Sequence, residues 1–293
     1  MVLLVGESMN ITVRVPGSCG ELVQGCADGE PFLITCPIDR YSTAVVADDG
    51  LQRIETGAKG KAALKKTLQY IQTGHFPFSL YVSSDLPKGK GMASSSADIG
   101  AVIIAAAAAC GTALTEQEIA CIAASIEPTD GVFCHGIVAI NYKTGAIRHS
   151  LGILPAMRIA IFDLGGTVDT LAFHQQCTEQ AVRCGLVLDH LPVFAAQMKT
   201  AEQIGNAATQ SALAHQAVLY KPYLSALLHM GKKWGAVGIN IGHSGTVCGL
   251  LFPPDYPKGL LTSRIGPAVA GHLPVSYMGP AVLRSGGWMM ERR

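Results

Sequence analysis

The stretch Asp85-Leu-Pro-Lys-Gly-Lys-Gly-Met-Ala-Ser-Ser-Ser-Ala-Asp98 decides how the rest of the chain is read. Gly89 and Gly91 allow backbone with φ above zero and let the main chain approach a bulky anion. Ser94, Ser95 and Ser96 then open a helix, whose first N–H groups have no partner within the helix and whose dipole favours negative charge. The run Pro87, Lys88, Gly89, Lys90, Gly91, Met92, Ala93, Ser94, Ser95, Ser96 is therefore a candidate phosphate cradle, with hydroxyls available for oxygen or metal ligation. The competing reading is an ordinary loop followed by a serine N-cap. The loop lacks the Gly-Lys-Ser/Thr ending of a Walker A motif, and its Gly-x-Gly is not a dinucleotide fingerprint.

Working outward, the helix from about Ser94 enters an uncharged, Ala-rich stretch between Asp98 and Glu116. That stretch is shorter than the ~20 apolar residues a bilayer core needs, so it reads as a helix buried on all sides. Ile11–Val15, Phe32–Cys36, Thr43–Ala47 and Phe78–Val82 read as strands. Lys59–Gln72 reads as a helix with its lysines on a solvated face. A helix at Thr115–Ser125 and a strand at Ile137–Tyr142 complete a first half, residues 1–154. The second half, 155–293, opens with a strand at Arg158–Phe162 and a helical region at about 173–231. Strands at Ala236–Ile241 and Val247–Phe252, a helix near Lys258–Ala270 and a strand near Leu273–Tyr277 follow. This is the split β-α-β order of ferredoxin-like domains. The tail from Gly279 has little pattern and is expected to fray. The fold class expected is α+β in two domains that share an interface.

The 293 residues carry 22 Lys+Arg against 21 Asp+Glu, so no basic field exists to attract a nucleic acid. Hydrophobic residues make up 49% and charged residues 15%, which excludes a disordered chain. No membrane partner is expected. Met1–Gly6 lacks the basic n-region of a signal peptide, so a cytoplasmic protein is expected. The nine cysteines include no C-x-x-C pair, and they read as packing residues in a reducing compartment.

Pro87-Lys-Gly-Lys-Gly-Met-Ala-Ser-Ser-Ser-Ala97 resembles the second motif of the GHMP kinases (galactose, homoserine, mevalonate and phosphomevalonate kinases), P-x-x-x-G-L-G-S-S-A-A. Val15-Pro-Gly-Ser-Cys-Gly-Glu-Leu22 resembles the family's first motif, and Gly238-Ile-Asn-Ile-Gly-His-Ser-Gly-Thr-Val247 its third. The resemblance implies a ribosomal-protein-like N-terminal domain, a ferredoxin-like C-terminal domain, and the cofactors ATP and Mg²⁺. It assigns the triphosphate to the loop at 87–96 with Gly242, Ser244 and Gly245 bordering it, and Mg²⁺ to Ser95. Ala93 stands where the family has Gly, which is tolerable if φ stays below zero. Ser18 stands where the family has Lys, leaving charge stabilisation to Lys88, Lys90 or the metal. The string Pro16–Gly25 and the stretch Asp163–Thr170 are similar to one branch, the L-threonine kinases of cobalamin biosynthesis, which make O-phospho-L-threonine. That implies a small-molecule substrate. Homoserine, another amino alcohol, or a catalytically silent nucleotide sensor are the alternatives.

Ile126-Glu-Pro-Thr-Asp-Gly-Val-Phe133 is similar to the D-V-P-F-F pattern that carries the catalytic Asp in another branch, with Gly131 inserted. The resemblance implies that Asp130 takes the substrate hydroxyl proton and that Glu127 joins Ser95 on Mg²⁺. The plain alternative is a helix stop at Pro128 followed by a solvated Asp in a turn. Ser18, Cys19, Glu21, Asp39 and Asp163 are candidate substrate contacts: Glu21 for the amine, and Asp39-Arg40-Tyr41 either for the ammonium and carboxylate or as a surface ion pair. Asp163 and Asp169 flank a Gly-Gly turn at a strand end, a common place for ligand contacts. His135 and His243 beside the motifs read as hydrogen-bonded structural residues.

Overall fold

A computed structural model of the chain describes residues 9–166 and 186–293. It begins with two strands of 18 residues each, β1 (Asn10–Ala27) and β2 (Glu30–Ala47). The turn between them is Asp28-Gly29, both at positive φ, which matches the twist of an antiparallel hairpin. The shorter strands expected at 11–15, 32–36 and 43–47 are parts of this one hairpin. Register shifts between Pro16 and Ser18, Ser18 and Glu21, and Glu21 and Val23 let β1 bend through the first Gly-rich motif without ending.

Next come β3 (Ile54–Glu55), α1 (Ala58–Tyr70), β4 (Ser79–Ser84), α2 (Ser94–Ala109) and α3 (Glu116–Ala124). Thr115 and Glu118 begin α3 with a reciprocal capping box. The hairpin β5 (Ile137–Ile140) and β6 (Ile147–Gly152) follows, β6 being absent from the sequence reading. Helix α2 is the buried helix its composition predicts. It packs on β1 and β2 with α1 and α3 beside it, and small residues make that approach possible. A Cβ at Gly100 would sit 2.7 Å from the Phe133 ring. Truncating a fully buried neighbour such as Ile103 to Ala costs roughly 2–5 kcal/mol.

The second half contains β7 (Arg158–Asp163), β8 (Leu186–Leu188), α4 (Leu191–Ala196), α5 (Ala201–Ala214), α6 (Leu224–Lys233), β9 (Gly238–Ile241) and β10 (Val247–Phe252). A helical run over 258–272 carries a π-helical stretch at Leu261–Ile265, and β11 (Ser276–Val282) and β12 (Met289–Arg292) close the chain. The sheet order β11-β7-β10-β9 places the four main strands four-one-three-two, the ferredoxin-like arrangement. This sheet is continuous with the first through β9, which pairs with β1 at Ile241 and Glu21.

Two expectations need correction. Residues 173–185 of the supposed helical region lie outside the described residues, and 186–188 form β8, parallel to β1, rather than helix. The tail does not fray: β12 pairs with β1 from Ile11–Arg292 to Arg14–Met289, and Met290 packs against the N-terminal core. Four residues of mixed polarity are too short a signal for periodicity to detect. Among the described residues, no helix is long and apolar enough to cross a membrane.

Candidate active site

Three backbone segments interlock where the Gly-rich loop turns into α2. Ser18 N donates to Met92 O at 3.0 Å and Gly20 N to Gly91 O at 3.1 Å, tying the bulged part of β1 to the loop. Thr246 N and Val247 N both donate to Lys90 O, tying in the turn between β9 and β10. Gly91 has φ +81, and a Cβ there would lie 2.9 Å from Gly245 Cα and 3.2 Å from Gly242 Cα. The loop thus needs glycine at 91 both for its dihedral and for the close approach of 242–245.

Ala93 is the N-cap of α2 at φ 53, in the left-handed region, and no side chain caps the helix. Ala93 therefore does not keep φ below zero, the condition on which its replacement of Gly was read as tolerable, whereas Ser94–Ser96 open the helix as the sequence reading has them and none is its N-cap. The left-handed step turns the chain into α2 with no side-chain cap on its first-turn amides. Its strain is roughly 1–2 kcal/mol.

A cavity of about 410 Å³ opens at this helix end. Lys88, Gly89, Gly91 and Met92–Ser96 line it together with Glu127, Pro128 and Asp130 and with Glu21 and Ser244. Asp130 is held by the chain on both sides. Ser96 Oγ donates to its Oδ2 at 3.1 Å, and Thr35 Oγ1 donates to its carbonyl. Burial, then the charge of nearby Glu21, pushes the Asp130 carboxyl up to about 7, suited to a general base near neutrality. Glu21 is raised as well, chiefly by burial, although His243 N and Nδ1 donate to its Oε2 at 2.8 and 2.9 Å. Burial holds His243 neutral, so it acts as a donor to Glu21 and not as a cation.

Two buried polar atoms on the cavity walls have no hydrogen-bond partner: Ser95 Oγ and Glu127 Oε1. An oxygen pair of this kind fits a small hard cation. Mg²⁺ is commonly bound by one or two protein oxygens with phosphates and water completing its shell. Among the described residues, no group of three or more His, Cys, Asp or Glu offers an all-protein metal site.

The remaining expected residues separate by position. Lys88 lines the cavity, whereas Lys90 turns away to Asp163 at 2.7 Å and to Gly166 O, strapping the loop to the second half. Asp163 also accepts from Thr246 Oγ1 and is a structural anchor here. Gly242 and Gly245 support Gly91 from behind. Ser18 and Cys19 are buried in the interlock, where the Cys19 carbonyl accepts from Asn240. Asp39 accepts from Val282 N and Arg40 donates to Met278 O, so both serve sheet pairing and neither reaches the cavity. Asp169, Cys177 and Cys184 lie outside the described residues. His135 bonds Glu116, as a structural histidine does. The sequence reading missed Lys59, which it assigned to a solvated face. It lines the cavity, with Nζ 2.5 Å from Glu127 Oε2. Thr56 and Gly57 reach the same wall, and nothing in their local sequence signals it.

Residues 59–142 match the family description "GHMP kinases N terminal domain". Over 256 residues the chain is 33% identical to the L-threonine kinase of Salmonella typhimurium, covering 85% of this chain and 84% of that protein. The chain belongs to the GHMP kinase family. Members are phosphotransferases with hydroxyl acceptors, and the solved folds agree with that membership. A crystal structure of mevalonate kinase aligns with a TM-score of 0.65 at 16% identity, covering 93% of this GHMP kinase and 99% of that chain. The mevalonate diphosphate decarboxylase from Enterococcus faecalis, from a structure describing its ATP binding mechanism, aligns with a TM-score of 0.64 at 15% identity, covering 98% and 100%.

Proposed function

We propose that this GHMP kinase transfers the γ-phosphoryl group of ATP to the hydroxyl of L-threonine, giving O-phospho-L-threonine and ADP. The observation that carries this reading is the meeting of Gly89 and Gly91–Ser96 with Asp130 in one cavity, a helix N-terminus suited to an anion next to a carboxylate poised near neutrality. Threonine as the acceptor comes from the likeness to the Salmonella enzyme. An amino acid also suits the cavity's charge, because Glu21 and Asp130 together present two buried carboxylates that a substrate ammonium would relieve.

In this scheme the first-turn amides of α2 and the Lys88 ammonium hold the triphosphate in line. Glu21, fixed by His243, receives the substrate ammonium. Asp130, oriented by Ser96, accepts the hydroxyl proton as the oxygen attacks phosphorus. Ser95 Oγ and Glu127 Oε1 would hold Mg²⁺, which when bound neutralises charge on the β- and γ-phosphates. Phosphoryl transfer depends mainly on positioning and charge stabilisation, which is what this wall supplies. The test is incubation with Mg·ATP and an equimolar mixture of L-threonine, L-serine and L-homoserine, with products identified by mass spectrometry. Phosphothreonine as the main product supports the assignment. Phosphohomoserine in its place moves the substrate, and no phosphorylated amino acid removes the reading.

A further inference from the structure

Lys59 is out of place for a solvated helix lysine. It sits in the first turn of α1, where the dipole disfavours a cation, and no acidic residue is present in that turn to offset it. Its ammonium crosses to the cavity and lies 2.5 Å from Glu127 Oε2, while the other oxygen of the same carboxylate is buried with no partner. The Glu127 side chain is 6% exposed and that of Lys59 45%, so one partner is fixed and the other is free to swing. Ser95 Oγ, also buried and unpartnered, lines the same cavity.

We infer that Lys59 is a stand-in cation: it holds the Glu127 carboxylate while the site is empty, and moves to a phosphate oxygen when a divalent ion takes that carboxylate. A buried carboxylate without a counter-charge is costly, which explains why Glu127 is paired with Lys59. A divalent ion on Oε1 withdraws charge from the carboxylate and repels the ammonium on Oε2, so its arrival weakens the Lys59 contact. The cavity then offers the ammonium Asp98, which already accepts from Ser42 Oγ, and the more highly charged triphosphate, which outcompetes that single carboxylate. Lys59 would thereby supply a cation that Ser18, at the position of the family's lysine, does not. This inference rests on Ser95 and Glu127 being the metal's protein ligands.

The experiment measures two affinities in the full-length protein: Mn²⁺ alone, by electron paramagnetic resonance, and ATP at saturating Mg²⁺, by calorimetry. Lys59→Met should bind Mn²⁺ alone more tightly, by about fivefold for loss of a half-exposed competing ion pair. It should bind ATP more weakly, by about tenfold or more for loss of a charge-assisted hydrogen bond. Lys59→Arg should restore both toward wild type. A merely structural ion pair would shift the two affinities in the same direction or leave both alone. Lys59→Met with unchanged or weaker Mn²⁺ binding, while Glu127→Gln abolishes it, overturns the stand-in role and leaves the metal assignment standing. Glu127→Gln without effect on Mn²⁺ in the wild-type and Lys59→Met backgrounds overturns both.

Discussion

Replacing Asp130 by Asn should make the protein more stable and the enzyme almost inactive, and both effects have the same cause. In the folded chain burial and the Glu21 charge raise the Asp130 carboxyl to about 7, against an ordinary value of 3.8. A carboxyl whose folded pKa exceeds its unfolded one binds more protons in the folded state between those values. Stability therefore falls as pH rises through that window, and the whole penalty is felt above it. A shift of about 3 units corresponds to about 4 kcal/mol at most. Water entering the cavity softens this, and roughly 1–3 kcal/mol is the expected gain for Asp130→Asn at pH 8. For a chain of this size that is a rise of roughly 3–10 °C in melting temperature. The difference between variant and wild type should open from about pH 4 and level off above pH 7, in thermal melts of the ligand-free protein. Turnover should fall by about 10²–10⁴, the usual contribution of a general base, with ATP affinity retained. Parallel melting profiles from pH 4 to 8 would refute the buried-carboxylate argument, and turnover near wild type would remove Asp130 from the base role.

Further outcomes follow from the same geometry. Ser95→Ala should not lower folding stability, because the buried hydroxyl has no partner to lose; a magnesium titration of ATP turnover should shift to higher metal concentration, and an unchanged titration removes Ser95 from the metal. Ala93→Gly should stabilise the protein slightly: relief of roughly 1–2 kcal/mol of left-handed strain exceeds the ~0.8 kcal/mol lost with a buried methyl. Urea unfolding checks it, and a lower midpoint contradicts the strain at 93. The wild-type rate should lose activity as pH falls through about 7, when Asp130 takes up its proton; an acidic limb near pH 4 would contradict the raised carboxyl.

What could be read from the sequence follows from where its information is local. Gly89, Gly91, Gly242 and Gly245 are local punctuation, and the structure brings Gly91, Gly242 and Gly245 together while Gly89 lines the same cavity at positive φ. The Ala-rich helix and the four-strand order of the second half came from periodicity and length. Lys59 was hidden because a lysine on an amphipathic helix looks the same whether it meets water or a carboxylate 68 residues away. Asp39 was misjudged for the converse reason: a carboxylate after a strand looks available, yet it accepts the amide of Val282, 243 residues distant. The left-handed Ala93 was invisible because alanine gives no local hint of φ above zero. For Lys59 and Asp39 the decisive partner lies far along the chain, beyond what spacing reports.

The pairing of Asn10–Ala27 with Met289–Arg292 has a bearing on biosynthesis. β1 obtains its β12 neighbour only when residues 289–292 emerge, which at 5–20 residues per second is roughly tens of seconds after β1 itself. Until then part of its edge is open to other chains. Substitutions that break the 289–292 pairing should therefore disturb yield and solubility before they disturb chemistry.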